Sequence, residues 1–445
     1  MNSSFTGIYD RLPIDVREKI DCLFSRMHFS EMEKTEIVKE EADLVQWDEK
    51  SFVTEGRILE YSSVMDGRSG ERYLRAMRAY MNELRRTETD YSSFFPPRII
   101  RPKTKETVLD QKIVLSRCPC PVDGEKTRCC KLRTLDAIMQ CGFGCAYCSV
   151  QAFYNENQIK IVSDLDKKLD DLEIDEGVWH IGTGQASDSL LYGDDYSTLS
   201  ALAHFCEKHP EIIIELKSKA SRTDVFTRRW PSNMVFTWSL NAPTIIEKEE
   251  HCTAPLEKRI ECARIARSNG NRVGFHIHPM FYFKEWREEY RTVADAITSS
   301  FSPDDLVMIS MGTLTFTKAV IQHLREEGRK SRVLEMELVK TAGKYSYPLD
   351  KKREMFSTMY SYFPEEYRKN VFFYLCMEDP SLWPDVLGRE YSCDREFESD
   401  MKRSYYSKLG IEKISTCADE LSHEPSLHLP TGIFQIHRNL PFSNP

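Results

Sequence analysis

The stretch EIIIELKSKASRTDVFTRRWPSNMVFTWSLNAP, from Glu211 to Pro243, holds two apolar β-rich runs, EIIIELK and MVFTWSL, separated by TDVFTRRW, which reads as helical. Both runs are nearly continuous in apolar residues, as strands covered on two faces are. The pattern repeats on either side. VWHIGT precedes a helix around YSTLSALAHFCEKH, and PLEKRIECARIARSNG follows MVFTWSL. Then come RVGFHIHPM with EYRTVADAITSSF, DLVMISM with TKAVIQHLREEG, and RVLEMEL with KKREMFSTMYSYF. Six or more consecutive β-α units predict a parallel sheet flanked by helices. The first turn lacks the glycine fingerprint of a doubly wound dinucleotide fold, so a closed or partial barrel suits the regularity better. Barrel chemistry collects at the C-terminal ends of the strands. That rule singles out Gln185, Ser187, Lys219, Ser239, Asn241, His276 and His278. The two histidines alternate along one strand and share a face, where each either lines the barrel or sits as a satisfied core residue.

Just upstream lies MQCGFGCAYCSVQAFY, Met139 to Tyr154, with Cys141, Cys145 and Cys148 spaced C-x3-C-x2-C. Three thiolates from one short loop suit three irons of a 4Fe–4S cluster, leaving the fourth iron open. Glycines at 142 and 144 give such a loop backbone freedom. Zinc is the other reading, since it prefers four closed ligands and a fourth is available from Cys129 or Cys130. Of fourteen cysteines, seven lie between Cys118 and Cys148 and the rest are scattered singly. Neither the size of the chain nor its N-terminus suits a secreted disulfide scaffold, and clustering in a reducing compartment favours metal.

The chain has 445 residues, 41% hydrophobic and 29% charged, the composition of an ordinary globular protein. It shows no membrane-length apolar run and no secretory signal pattern, so the expected location is cytoplasmic, without membrane partners. A net charge of −9 argues against indiscriminate nucleic-acid binding. Local basic runs (PPRIIRPKTK, KTRCCKLR, KSKASRTDVFTRR) read first as solvated faces and leave DNA open. Four segments follow: 1–110, helical and then an extended proline-bearing connector; 111–150, cysteine-rich; 151–392, the β/α barrel; and 393–445, a tail without clear periodicity.

C-x3-C-x-aromatic-C, with Tyr147 in the aromatic position, resembles the signature of radical S-adenosylmethionine (SAM) enzymes. The run from the triplet through SVQAFYNENQIKIVSDLDKKL to GKYSYPLDKKREMFSTMYSYF, roughly residues 115 to 390, resembles the spore photoproduct lyase family more narrowly. RVGFHIHPMFYFKEWREEY and MISMGTLTF look like that family's later strand motifs. The resemblance implies a partial (β/α)6-type radical SAM barrel with an N-terminal helical extension. It implies Cys141, Cys145 and Cys148 as ligands of a 4Fe–4S cluster, with SAM on the open iron. Tyr147 would lie against the adenine, as a catalytic and cofactor-binding residue. Lys219 would sit near the SAM carboxylate and Ser239 at the SAM site; without the family both read as ordinary strand-end residues. The implied activity is lyase chemistry on a thymine photoproduct in DNA, cleaving a carbon–carbon bond, with a one-electron reductant such as flavodoxin or ferredoxin.

Two departures qualify this. Gln185 stands where the lyase's hydrogen-donor cysteine is expected, and Ser149 where a tyrosine follows the third cluster cysteine. An amide N–H bond is too strong to replace a thiol, so the termination step or the substrate differs. The second departure is CPCPVDGEKTRCC, whose Cys118, Cys120, Cys129 and Cys130 suit a second cluster, a zinc ion, or a structural or redox role; adjacent Cys129 and Cys130 point apart in most backbones. Three functions therefore stand: a radical SAM enzyme on nucleic acid, the same chemistry on another substrate, and a zinc-stabilised binding protein without radical chemistry.

Overall fold

The computed structural model describes residues 7–63, 68–97, 105–118, 126–149 and 158–411. Cys120, most of the SVQAFYNENQ stretch and residues 412–445 lie outside them. The main sheet has eight strands: β1 Ser116–Arg117, β2 Arg133–Thr134, β3 His180–Thr183, β4 Ile213–Ser218, β5 Met234–Leu240, β6 Arg272–Met280, β7 Leu306–Thr313 and β8 Phe372–Leu375. Their spatial order equals their chain order, and every pair from β2 to β8 is parallel, while β1 is antiparallel to β2. Helices Thr198–Lys208, Leu256–Ser268, Trp286–Ser300 and Leu349–Ser361 fill crossovers between successive strands. This is the α/β half-barrel that the β-α rhythm predicts.

β5 and β7 are buried along their whole lengths, which explains why their sequences are apolar almost without interruption. Fully burying a side chain such as Ile309 or Phe236 contributes about 1.5–3 kcal/mol. The polar exceptions form a linked group. Glu215 accepts hydrogen bonds from His180 Nε2 (2.9 Å), His276 Nε2 (2.6 Å) and Thr237 (3.1 Å), and Ser310 Oγ bonds His276 Nδ1 at 2.6 Å. Burial keeps His276 below its ordinary range and therefore neutral. His276 is thus a satisfied core histidine.

The sheet curls until its two edges are bridged. The N–H of Arg128, just before β2, donates to the carbonyl of Glu378, just after β8, at 3.1 Å. The helix Asp394–Leu409 covers the same gap: Tyr405 packs edge-on against Trp179 beside β3 (5.9 Å) and against Phe372 in β8 (6.1 Å). Residues 394–409 are thus an integral helix and not the tail their sequence suggests. Their apolar residues Phe397, Met401, Tyr405 and Leu409, spaced by four, face the barrel and are all buried. A second correction concerns RVLEMEL, which is a turn and not a strand. Arg332 pairs with Glu335 three residues on (2.9 Å), and Glu335 N–H donates to the Arg332 carbonyl. The sixth parallel strand is instead β8. TDVFTRRW likewise forms only one 3-10 turn, Thr223–Phe226, closed by Trp230 Nε1 donating to Val225 O at 2.9 Å.

The N-terminal helices Ile14–Arg26, Glu31–Trp47, Glu55–Ser62 and Ser69–Arg86 pack on the barrel's flank. Ser30 and Glu33 form a capping box that starts the second helix. Its buried Asp43 pairs with Arg325 at 2.6 Å. Tyr91 donates to Glu249 at 3.0 Å, and Arg332 pairs with Glu49 at 2.8 Å. Two carboxyls in this joint are raised. Glu249 is pushed up to about 7 by burial. Glu335 is pushed up to about 8 by burial and by Glu49, against the pull of Arg332. Each keeps its proton in the folded chain where the unfolded chain has released it, so stability falls as pH rises from about 4.5 to about 8 and then levels. Thermal melts should show this fall, and Glu335→Gln should flatten its upper part; an unchanged pH profile in that variant would refute the assignment.

Candidate active site

The loop carrying the triplet is clamped at several points. Gly144–Cys145 pair antiparallel with Glu250–His251, and Ala146 N–H donates to Glu249 O at 2.8 Å. Arg329 donates to Gly144 O (2.9 Å) and Ser187 Oγ to Gln140 O (3.0 Å). At Gly142 the chain passes close to Leu191: a Cβ there would stand 2.4 Å from Leu191 Cδ2, so that side chain would have to shift. Left-handed backbone occurs instead at Gln140, with φ of 71°.

Cys141, Cys145 and Cys148 line one cavity of about 170 Å³ at the C-terminal mouth of the sheet. Opposite them stand Asp188, Lys217, Lys219, Ser239 and His278. The expected residues Tyr147, Lys219 and Ser239 therefore meet the triplet in one place. Gly184 and Ser187 also line the wall. Gln185 and Asn241 are not among the lining residues, and His276 lies deeper, in the core network. A larger open depression of about 700 Å³, bounded by Phe95, Pro243 and Leu256, touches this region only through Glu250 and holds none of the three thiols. The site is assigned to the smaller cavity on that ground.

Charge at the site centres on Glu250, 2% exposed. Lys219 Nζ approaches Glu250 Oε1 at 2.8 Å and the Tyr147 hydroxyl at 2.9 Å. Tyr147 itself donates to Glu250, and Asn241 does so at 3.1 Å. Arg259, fully buried, holds Glu250 Oε2 at 2.6 Å and the Ser239 carbonyl at 2.7 Å. Burial alone would raise the Glu250 carboxyl; Lys219 and Arg259 outweigh it and hold the group well below the usual carboxylate range. Asp188 is raised by burial although Lys219 N–H (2.6 Å) and Ser218 (2.8 Å) donate to it. Burial pushes Cys141 well above the ordinary thiol value, with Asp188 and Cys148 adding to it, and pushes Cys145 up to about 12. His278 is held well below its ordinary value by burial and by Lys217, so it is neutral.

The donor set fits a cluster with one open position: three soft sulfurs from a single loop on one wall, with an ammonium and hydroxyls facing them. Among the described residues, no three Cys, His, Asp or Glu side chains form a ready-made metal cage. Sequence reading missed Glu250, which lies in the charged run EKEEH, and Arg259, one of several charges on the helical stretch PLEKRIECARIARSNG. Asp188 had one signal, its place among small polar residues after β3.

Arg259→Ala leaves Glu250 buried with half its compensation. Urea denaturation should show a loss of about 3–5 kcal/mol, and a loss under about 1 kcal/mol would refute the central role of the pair.

Comparisons with known proteins bear on the fold and on part of the sequence. A family model described as spore photoproduct lyase matches residues 198–376. The chain is 32% identical over 69 residues to the spore photoproduct lyase of Clostridium acetobutylicum, covering 16% of this chain and 20% of that one. It is 28% identical over 137 residues to the enzyme of Bacillus subtilis, covering 28% and 40%. It thus spans less than half the length of these relatives. A solved structure of spore photoproduct lyase with dinucleoside spore photoproduct superposes with a TM-score of 0.50 at 17% identity, over 61% of this chain and 82% of that one. The chain is thus similar to spore photoproduct lyases in sequence over residues 198–376, and its half-barrel shares the fold of the solved enzyme.

Proposed function

We propose that the protein is a radical SAM enzyme that acts on a pyrimidine photoproduct in DNA. The observation that carries this reading is the convergence of Cys141, Cys145 and Cys148 on one cavity wall, facing Lys219 and Ser239. A 4Fe–4S cluster and SAM bound there would supply, on one-electron reduction, a 5′-deoxyadenosyl radical able to take a hydrogen atom from substrate. The three cysteines would hold three of the four irons. Lys219 is the cation for the carboxylate of SAM, and Ser239 offers a hydroxyl beside it. Tyr147, packed edge-on against Phe281 at 5.4 Å, provides an aromatic surface for the adenine. Glu250 and Arg259 fix Lys219 and the Ser239 strand end. His278, neutral, lines the cavity without adding charge.

DNA as the substrate rests on the relatives, one of which is solved with dinucleoside spore photoproduct. The electron would come from a flavodoxin or ferredoxin, in a cytoplasmic setting. No helix among the described residues is long and apolar enough to cross a membrane. A second reading, the same radical chemistry on a substrate other than DNA, is favoured by Gln185 and Ser149 standing where the lyase has its thiol and tyrosine.

The protein, reconstituted anaerobically and reduced with dithionite, should cleave SAM to 5′-deoxyadenosine. The Cys141→Ala, Cys145→Ala, Cys148→Ala variant should form none. Lys219→Ala should weaken SAM binding by about tenfold, or about 1.4 kcal/mol. Intact SAM and a zinc-only protein would overturn the radical reading in favour of a binding protein. Turnover of SAM without repair of a dinucleoside photoproduct would overturn the DNA assignment alone.

A further inference from the structure

The polar side chains at the mouth of the sheet stand two residues beyond those of the buried network. Glu215 and Lys217 alternate along β4, His276 and His278 along β6, and Ser310 and Gly312 along β7, so each pair shares a face. The lower row is closed. Both oxygens of Glu215 are taken up by His180, His276 and Thr237, and the second ring nitrogen of His276 by Ser310. The upper row is open. Lys217 and His278 line the cavity of the three thiols, and among the described residues neither the Lys217 ammonium nor the His278 ring has a hydrogen bond or an ion pair. Gly312 leaves the space that the His278 ring occupies, since a Cβ there would stand 2.8 Å from His278 Cδ2.

Neither carboxylate of the site answers Lys217. Asp188 Oδ1 accepts from Ser218 (2.8 Å) and the Leu190 N–H (3.1 Å), and its Oδ2 accepts from the Lys219 N–H (2.6 Å). Glu250 is held between Lys219 and Arg259. A half-buried ammonium facing a cavity without a counter-ion is electrostatically incomplete, because charges withdrawn from water are ordinarily paired. The two lysines also divide the cavity between them. Lys219, bonded to the Tyr147 hydroxyl, stands on the side of the cysteine loop, and its charge is matched by Glu250. Lys217 has no such tie to that loop.

We propose that Lys217 and His278 form a subsite for a phosphate group of the substrate. The source of that phosphate rests on the DNA reading above: it is the phosphodiester that joins the two nucleosides of a photoproduct. SAM carries a single carboxylate, which Lys219 meets in that reading, so a second cation on the same wall calls for a second anion. An ammonium supplies a point charge and an imidazole an N–H, and both suit phosphate oxygen. β5 lies between β4 and β6 and ends at Ser239, so a phosphate held by Lys217 and His278 lies next to the groups assigned to SAM. The substrate is thereby oriented by a group that takes no part in the bond being broken.

The test uses the full-length protein, reconstituted anaerobically and saturated with SAM. Equilibrium dialysis with labelled inorganic phosphate should find a single site, weakened about tenfold by Lys217→Gln, about threefold by His278→Gln and little by Lys217→Arg. A second arm compares kcat/KM for a dinucleotide photoproduct carrying the internal phosphodiester with that for the dinucleoside photoproduct lacking it. The preference for the dinucleotide should fall about tenfold in Lys217→Gln. No phosphate binding, an unchanged preference, or a matching loss of SAM affinity in Lys217→Gln, which would give the cation to the carboxylate of SAM, would overturn the proposal. Phosphate binding through Lys217 without repair of either photoproduct would support the subsite and overturn the DNA reading. A last readout uses the unmutated chain, so that misfolding of a variant cannot decide the matter. Acylation mapped by peptide should slow at Lys217 when phosphate is present; equal acylation in both states would overturn the proposal.

Discussion

A buried carboxylate sets the order of this active site. Glu250 lies in apolar surroundings where an ion alone would cost several kcal/mol, and two cations, a phenol and an amide compensate it. Each partner comes from a different part of the barrel: Tyr147 from the cysteine loop, Lys219 from the end of β4, Asn241 from the end of β5, and Arg259 from the helix before β6. Moving any one of them uncovers charge, so the four segments are fixed relative to one another. The backbone of the same residue pairs with Cys145. One residue therefore aligns the thiols with the lysine opposite them.

The interior below the site is also polar, and for a related reason. Seven strands side by side bring inward-facing residues together from β3, β4, β5, β6 and β7. Glu215 collects His180, Thr237 and His276 there, so the layer is satisfied within itself. The rigid floor this makes lies on the strands that carry Lys217, Lys219, Ser239 and His278, and fixes their directions without contributing a group to the cavity.

The strands were legible because burial on two faces leaves continuous apolar runs, and RVGFHIHPM marks β6 to the residue. RVLEMEL misled because the same run of apolar residues arises in a turn packed beneath the N-terminal helices, where Arg332 and Glu335 satisfy each other. The helix 394–409 was missed because its apolar residues are spaced among many charges and its purpose is tertiary. The triplet, Tyr147, Lys219 and Ser239 were legible through motif and strand-end position. Glu250 and Arg259 were not, since long-range pairing of charges leaves no local pattern.

The closure of the sheet also has a consequence for biosynthesis. Strand order equals chain order, so each strand leaving the ribosome finds its neighbour in the sheet already synthesised. Trp179, beside β3, stays uncovered until residues 394–409 pack on it. Residues 394–409 emerge after every strand of the sheet, and it is their packing that covers Trp179 and Phe372.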